Sequence, residues 1–171
     1  MTEILDRMEE TVEGIRFLDA AEYPDVMALA SYWEAKRGAR PMPDRADIVP
    51  AEIVRLLPNI IISEVLHDGE DFRTRIFGTA LVALVGEERT GKLLSEFGEK
   101  AALPTRPDVV QERWFGVTRR AYRTGRPVFV TGAMESSDRP CLTFHGVSCP
   151  LTAGGTETRQ MLGGLFVVDR R

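Results

Sequence analysis

The spacing of hydrophobic residues changes period three times along the chain. Up to about residue 58 apolar residues recur at helical spacing, and from Asn59 to Phe77 they alternate as in strands. A second helical stretch follows, and strand-like alternation returns from Arg126 to the end. Strands that are clustered rather than alternating with helices predict an α+β domain with an antiparallel sheet covered by helices on one face.

An N-terminal helical extension is predicted within residues 1–22, ahead of a domain over residues 23–171. Its basis is an apolar stripe at helical spacing among acidic neighbours: Leu5, Met8, Val12 and Ile15. The stripe fits either packing on the chain's own domain or a dimerisation seam, and two heptads do not decide between them. A second helix is predicted after Tyr23, ending at Gly38.

The first two strands are predicted to form a hairpin that turns at Asp68 and Gly69, inside "NIIISEVLHDGEDFRTRIFG". Strict alternation along its second strand puts three residues on one face of the sheet: Phe72, Thr74 and Ile76. It puts three others on the opposite face: Arg73, Arg75 and Phe77. Three further strands are predicted in "RPVFVTGAM", "PCLTFHGVSCPL" and "QMLGGLFVVD".

The helical middle contains one long helix, predicted from Asp108 to Thr124. Asp108 is the expected N-cap with Gln111 three residues on, and Gly125 follows the end. One face carries an apolar stripe: Val110, Trp114, Val117 and Ala121. A shorter helix is predicted in "GTALVALVG", where Gly86 ends it.

Composition and charge narrow the function. The chain has 171 residues, 43% of them hydrophobic, which is enough for one sizeable core. A net charge of −4 provides no general attraction for nucleic acid or an anionic membrane, so neither is expected as a partner. Two cysteines, no apolar run of membrane-spanning length and an acidic start without signal-peptide character predict a cytoplasmic protein.

The stretch from Gly86 to Lys92 matches the phosphate-loop pattern G-x-x-x-x-G-K, which invites a nucleotide-dependent enzyme as a hypothesis. The Ser or Thr that should follow to hold Mg²⁺ is replaced by Leu93. Glu87 and Glu88 would repel a phosphate at about 1–4 kcal/mol for each contact near 4 Å. We therefore interpret this stretch as a helix end followed by a turn.

A metal site is suggested by Cys141, His145 and Cys149, which are four residues apart. Their neighbours predict a strand, in which four residues span roughly 13 Å, too far for common ligation of one ion. With two histidines and no G-x-S-x-G sequence, nothing assembles a nucleophile with its base. No metal and no catalytic residue are expected.

Several stretches together resemble PAS_5, a family of PAS domains found mostly in alphaproteobacteria. They are "YWEAKRGARPMPDRADIVPAEIVRLLPNIIISEV", "FRTRIFGTALVALVGEERTGKLLSEF", "RWFGVTRRAYRTGRPV" and "CPL" before the closing strand. The similarity runs from about Pro24 to Asp169. It implies a five-stranded antiparallel sheet with helices crossing one face and a small cavity between them. Members of this family are regarded as sensory or interaction modules without a reaction of their own.

The resemblance also bears on cofactors. A photoactive flavin domain of the PAS class would need a cysteine on the helix after the first two strands, and none precedes Cys141. A haem sensor would need an axial histidine in the helical middle, and none lies between His67 and His145. Neither flavin nor haem is expected, which leaves an unassigned small molecule as the ligand.

The sequence thus predicts a non-catalytic sensory or regulatory PAS domain acting in bacterial signal transduction. It would bind a small ligand, a partner protein or both, and form a homodimer. The alternative is a ligand-free interaction or dimerisation module. Candidate ligand-binding residues are Ile62, Arg75, Ile76, Leu84, Trp114, Phe129, Phe144 and His145. For the apolar candidates ordinary core packing is favoured over ligand contact, and for Arg75 a structural salt bridge is favoured.

Overall fold

The computed structural model describes residues 12, 14–98, 106–134 and 142–169. Within these ranges the helices and strands follow in the order β1 (Arg16–Leu18), α1 (Pro24–Arg37), β2 (Ile60–Leu66), β3 (Asp71–Phe77), α2 (Thr79–Val85), α3 (Pro107–Thr124), β4 (Val128–Met134), β5 (Leu142–Leu151) and β6 (Gln160–Asp169). Short 3-10 turns connect several of them. Leu5 and Met8, half of the predicted N-terminal stripe, lie outside the described residues.

The strands form one sheet in the order β1-β4-β5-β6-β2-β3, with antiparallel pairing between neighbours. The five predicted strands are confirmed, and their hairpin turns through His67–Gly69. The count of five is corrected to six, because Arg16–Leu18 is a strand and not the end of a helix. Gly14, at φ +77°, turns the chain there, and Arg16 then pairs opposite Thr131 on the open edge of β4.

Side chains alternate along β5 and β6, and this alternation divides the core into two clusters. Phe144, Met161 and Leu165 point to the side covered by α2 and α3, which we call the cavity face. Cys149 and Leu162 point to the side covered by α1, which we call the closed face. The predicted α+β class is confirmed, and α1 adds a helical cover on the second face.

Helix α1 is fixed to the closed face by its apolar stripe. Pro24 occupies the first turn, where its missing N–H removes no helical hydrogen bond. Val26, Leu29 and Trp33 are buried. The indole nitrogen Nε1 of Trp33 donates to the carbonyl oxygen of Pro150 on β5 at 2.8 Å, which connects the helix to the sheet.

A β-bulge in β3 changes which residues face the cavity. Ile62 pairs with Ile76, but the next residue of β2 pairs with Thr74, so Arg75 is an extra residue without a partner in the ladder. Phe77 consequently joins Phe72 in the cluster on the cavity face, whereas Ile76 packs on the closed face. The strict alternation predicted for this strand was wrong beyond Arg75.

Helix α3 spans the predicted length and crosses the cavity face. Its stripe is confirmed, and Gly125 ends it at φ +66°. The predicted cap was wrong: Asp108 lies inside the first turn, where its carboxylate pairs with Arg106 at 2.5 Å. Gln111 instead donates through Nε2 to the carbonyl oxygen of Phe97 at 2.9 Å, which fixes the helix to the preceding loop.

Candidate functional site

A cavity of about 90 Å³ lies between the cavity face of the sheet and helices α2 and α3. Its walls are mainly apolar and include Phe72, Phe97, Trp114, Val117, Phe144 and Met161. The volume exceeds the roughly 10–15 Å³ that one water molecule requires. It is well below the roughly 300–1,000 Å³ of pockets for drug-sized ligands. The space therefore suits a small molecule of about one ring.

Small residues at the centre of the sheet keep this space open. Gly146, Ser148 and Gly163 are neighbours on β5 and β6 and line the cavity or contact its wall. A Cβ atom on Gly163 would lie 3.4 Å from the carbonyl oxygen of Val147 and 3.6 Å from Cβ of Ile61, which are ordinary contacts. An alanine would therefore fit sterically at Gly163, so the backbone there does not itself require glycine.

The polar groups of the cavity wall are two arginines and several hydroxyls. Arg89 and Arg113 both line the cavity, whereas no aspartate, glutamate, histidine or cysteine occurs among its described lining residues. Thr74 and Ser148 are 2% and 5% exposed. Both are therefore buried hydroxyl groups at the cavity, and a hydroxyl can donate one hydrogen bond and accept others.

Arg89 lies in the loop after α2 and is 4% exposed. Its guanidinium carbon lies 4.3 Å from the ring centroid of Phe97 and 5.5 Å from that of Phe77, so the cation contacts both aromatic rings. Nε donates to Oε2 of Glu87 at 3.3 Å. Burial lowers the pKa of Arg89, against the opposing effect of Glu87, but an arginine remains charged near neutral pH.

Glu87 is the shared anion of this loop, and it is 5% exposed. Its Oε1 accepts from Nζ of Lys92 at 3.0 Å, and its Oε2 accepts from the backbone N–H of Gly98 at 3.4 Å as well as from Arg89. Burial raises the pKa of Glu87, but the hydrogen bond from Lys92 and the charge of Arg89 together lower it below its ordinary value. Glu87 is therefore an ionised carboxylate between two cations.

The loop is held in place by the edge of β3. The backbone N–H of Gly91 donates to the carbonyl oxygen of Thr74 at 2.7 Å, and the N–H of Thr74 donates to Lys92 at 2.9 Å. The stretch from Gly86 to Lys92 follows helix α2 and forms buried ion pairs, whereas a phosphate loop follows a strand. This arrangement agrees with a helix end and a turn.

Two of the predicted ligand-binding residues, Trp114 and Phe144, meet at the cavity. Their ring centroids are 5.7 Å apart and both line the space. Leu84 is half-buried and packs on the same cluster outside the lining. Contact of either aromatic ring with a ligand stays a prediction.

The other predicted residues lie away from the cavity. Ile62, Ile76 and Phe129 pack in the cluster of the closed face. His145 stacks on Tyr23 there, with ring centroids 5.0 Å apart and an interplanar angle of 8°. The bulge at Arg75 and the alternation of the strands determine these positions. The sequence alone does not show which face of the sheet each of these residues occupies.

Arg75 was a candidate polar contact to the ligand, with a structural salt bridge as the favoured alternative, and its half-exposed side chain pairs with Glu64 at 2.5 Å. The structure places Arg89 in the cavity wall instead, a residue that the sequence reasoning missed. Local pattern gives no signal for a buried arginine in a loop that carries Glu87 and Glu88. The sequence offers only one weak indication: Arg89 lies between Phe77 and Phe97 along the chain, and both aromatic residues are near the ends of short elements.

The described residues hold no group of three or more His, Cys, Asp or Glu side chains that could bind a metal ion. Cys141, one member of the candidate set, lies outside the described residues. Cys149 is fully buried on the closed face, and burial raises the pKa of its thiol, which disfavours the thiolate that binds metals.

In the part of the chain that the structure describes, no helix has both the length and the apolar character needed to cross a membrane.

Comparison with known proteins identifies a family. The family model PAS_5, described as a PAS domain, matches residues 22–166. No curated protein sequence matches the chain significantly.

Solved structures of similar fold include a light-oxygen-voltage domain studied with a flavin analogue, at 15% identity and TM-score 0.46, covering 69% of this chain and 82% of that one. A fungal light-oxygen-voltage photoreceptor domain has 18% identity and TM-score 0.46, covering 84% and 92%. An RNA-binding light-oxygen-voltage receptor has 13% identity and TM-score 0.48, and the chain spans 40% of its length. At such low identity the likeness concerns the fold alone.

The sequence predicts neither a flavin nor a haem, and the residues around the cavity can be tested for both. About 90 Å³ is too little for a three-ring flavin, and the described lining contains no cysteine. An axial ligand for haem is also missing from the described lining, since His145 lies on the closed face. The residues present fit neither group, and the expected lack of both cofactors stays a prediction.

Proposed function

Because the chain belongs to the PAS_5 family of PAS domains, we propose that it is a non-catalytic sensory domain that holds a small ligand in the cavity beneath α3. A sensory or signalling role follows from the family. The small ligand, bacterial signal transduction as the process and the cytoplasm as the location are our proposals. The cavity between the sheet and helices α2 and α3 is the observation that carries them.

The cavity reduces the stability of the domain. At about 24 cal/mol per Å³, a space of 90 Å³ that side chains do not fill forfeits on the order of 2 kcal/mol. That is a considerable part of the roughly 5–15 kcal/mol that stabilises a typical domain. Since a Cβ atom at Gly163 would make only ordinary contacts, the cavity wall tolerates a residue larger than glycine at this position. A function in binding accounts for its presence.

The chemistry of the wall supports binding rather than reaction. General acid-base catalysis needs a titratable group near neutral pH, and nucleophilic catalysis needs an activated nucleophile. The described lining offers arginines and unactivated hydroxyls only. These groups orient a ligand but do not exchange protons with it at neutral pH.

A ligand could act on the surface through α3. Near its C-terminal end, Arg119 donates to the carbonyl oxygens of Gly69 at 3.0 Å and Glu70 at 2.6 Å in the hairpin turn. A molecule that prefers one position of α3 would therefore shift this turn as well. The shift is limited by the difference in ligand affinity between the two positions.

The proposed homodimer concerns residues 1–22, of which only part is described. Val12 lies against α3, with Cγ2 2.7 Å from where a Cβ on Gly116 would be, and Ile15 is buried in the core. These two members of the predicted seam pack inside their own domain. Any dimer contact would therefore rest on the remaining residues, and a signalling partner likewise remains a proposal.

Native mass spectrometry of protein purified from its own host tests the proposal. Ser63 lines the cavity, so Ser63→Leu should fill it, and Ser31→Leu on the exposed side of α1 is the matched control. We expect a stoichiometric small molecule on the unmodified protein and on Ser31→Leu, and none on Ser63→Leu. Ligand-free protein in every case, especially as a stable dimer, would support the alternative of an interaction module.

A further inference from the structure

The buried ion pairs beside the cavity leave a positive charge without a counter-ion among their members. Glu87 supplies one negative charge, and Arg89 and Lys92 supply two positive ones. The glutamate side chain is 3% exposed and that of Arg89 is 4% exposed, whereas Lys92 reaches solvent at 34%. Lys92 also makes the shorter contact, 3.0 Å against 3.3 Å. The carboxylate is thus shared, and Arg89 is only partly neutralised.

The two Nη groups of Arg89 are hydrogen-bond donors that remain available for a ligand. Within the described residues its hydrogen bonding is limited to Nε, which donates to Glu87, so its two Nη nitrogens have no acceptor there. The contacts of the guanidinium with the rings of Phe77 and Phe97 do not use these donors. A planar pair of Nη groups matches the two oxygens of a carboxylate.

The rest of the described wall carries no negative charge that could satisfy Arg89. The lining residues include a second arginine, Arg113, and the hydroxyls of Thr74 and Ser148. A buried cation without a full partner is unfavourable, and an anion entering the cavity would remove that penalty. The apolar residues around it would accept the uncharged part of the same molecule.

We propose that the cavity selects a small organic carboxylate, with the carboxylate on the Nη groups of Arg89 and a body of about one ring against Trp114 and Phe144. This inference rests on the proposed function, because it names the class of ligand for the same cavity. It assigns to Arg89 the role of a specificity residue. The stretch from Gly86 to Lys92 then contributes to anion binding through a buried side chain, not through backbone wrapped around a phosphate.

Isothermal titration with two probes of equal shape tests the charge preference. Benzoate and benzamide are both planar single-ring molecules, and only benzoate is ionised at pH 7. We expect the unmodified protein to bind benzoate about tenfold or more tightly than benzamide, since hydrogen bonds between charged partners contribute about that factor or more. Equal affinities, or binding of benzamide alone, would overturn the inference and leave the proposed function standing.

Variants of Arg89 locate the effect. Arg89→Met keeps Glu87 paired with Lys92, so the fold should tolerate it. It should weaken benzoate about tenfold to a hundredfold and leave benzamide nearly unchanged. Arg75→Met, which removes an exposed arginine, is the control and should change neither affinity. Unchanged benzoate affinity in Arg89→Met would contradict the assignment.

Benzamide binding also reports whether the cavity of a variant is intact. If Arg89→Met loses both probes, Arg89→Lys decides instead, because it keeps the charge but not the two-pronged geometry, and it should show an intermediate benzoate affinity. If neither probe binds the unmodified protein, the inference fails, and the native mass spectrometry of the unmodified protein and of Ser63→Leu decides the proposed function separately.

Discussion

The two faces of the sheet differ in how they are filled. On the closed face, α1 covers a continuous apolar cluster in which Leu29, Cys149 and Leu162 have no exposed surface. On the cavity face, α2 and α3 cover an unfilled space bordered by buried charges. The comparison indicates a division of roles, since close packing gives rigidity and stability and a defect in packing gives room for a ligand.

Two adjacent glycines of β6 differ in the space that surrounds them on the two faces of the sheet. A Cβ on Gly164 would lie 2.9 Å from Cε2 of Phe166 and 3.0 Å from Cδ2 of Leu29, on the closed face. A Cβ on Gly163 would meet nothing closer than 3.4 Å, on the cavity face. Neighbouring positions of one strand therefore differ: an added Cβ atom would be too close to its neighbours at Gly164 and would make ordinary contacts at Gly163.

Removing Trp33 should break the closed face and give the largest effect. Trp33→Ala deletes a 2% exposed indole and leaves the carbonyl of Pro150 without its donor. We expect a loss of about 3–5 kcal/mol in the free energy of unfolding, measured by urea denaturation. Trp114→Ala is the matched change beside the existing cavity. Its loss in unfolding free energy should be smaller than that of Trp33→Ala by about 1 kcal/mol or more, because the ring of Trp114 is already partly exposed. Equal losses would remove the contrast between the faces.

Glu87→Gln should disturb the cavity face next most strongly. The amide keeps the shape but leaves Arg89 buried without its anion, and we expect a loss on the order of 3 kcal/mol. Arg89→Met should lose less, because Glu87 retains Lys92. Denaturant midpoints of the two variants provide the test, and a more severe effect of Arg89→Met would mean that Lys92 does not neutralise Glu87.

The two glycines of β6 allow the comparison to be sharpened. Gly164→Ala should destabilise the domain by about 1–3 kcal/mol through overpacking against Phe166 and Leu29. Gly163→Ala should change the free energy of unfolding by about 0.5 kcal/mol at most. Thermal unfolding of the pair, with Gly155→Ala in an open turn as control, separates the outcomes. Similar losses at Gly163 and Gly164 would show that the cavity face is packed after all.

The smallest expected effect is a pH dependence of the Glu87 contribution. The pKa of Glu87 is lower in the folded protein than its ordinary value of 4.5, so its stabilising effect is complete above that value and declines as the pH falls through the folded pKa. The difference in unfolding free energy between the unmodified protein and Glu87→Gln should therefore narrow as the pH drops below about 4.5. A difference that grows on acidification would contradict the ionised state.

Much of the fold was predictable because its signals are local. The hairpin turn at Asp68 and Gly69, the alternation of the last three strands and the helix ending at Gly125 each depend on neighbouring residues. The family resemblance likewise predicted a cavity between sheet and helices. The lining of the cavity was predicted less well, because Trp114 and Phe144 were among the candidates and Arg89 was not.

The sequence by itself determined the order and type of most elements, since helical and strand periods are properties of short segments. Only the tertiary structure decided which face each strand residue occupies, because the bulge at Arg75 reverses the alternation and a strand carries no mark of its inner side. It also decided that Arg16–Leu18 would pair with the open edge of β4 and that Arg89 would be buried. Both outcomes depend on partners distant in the chain, which no local period encodes.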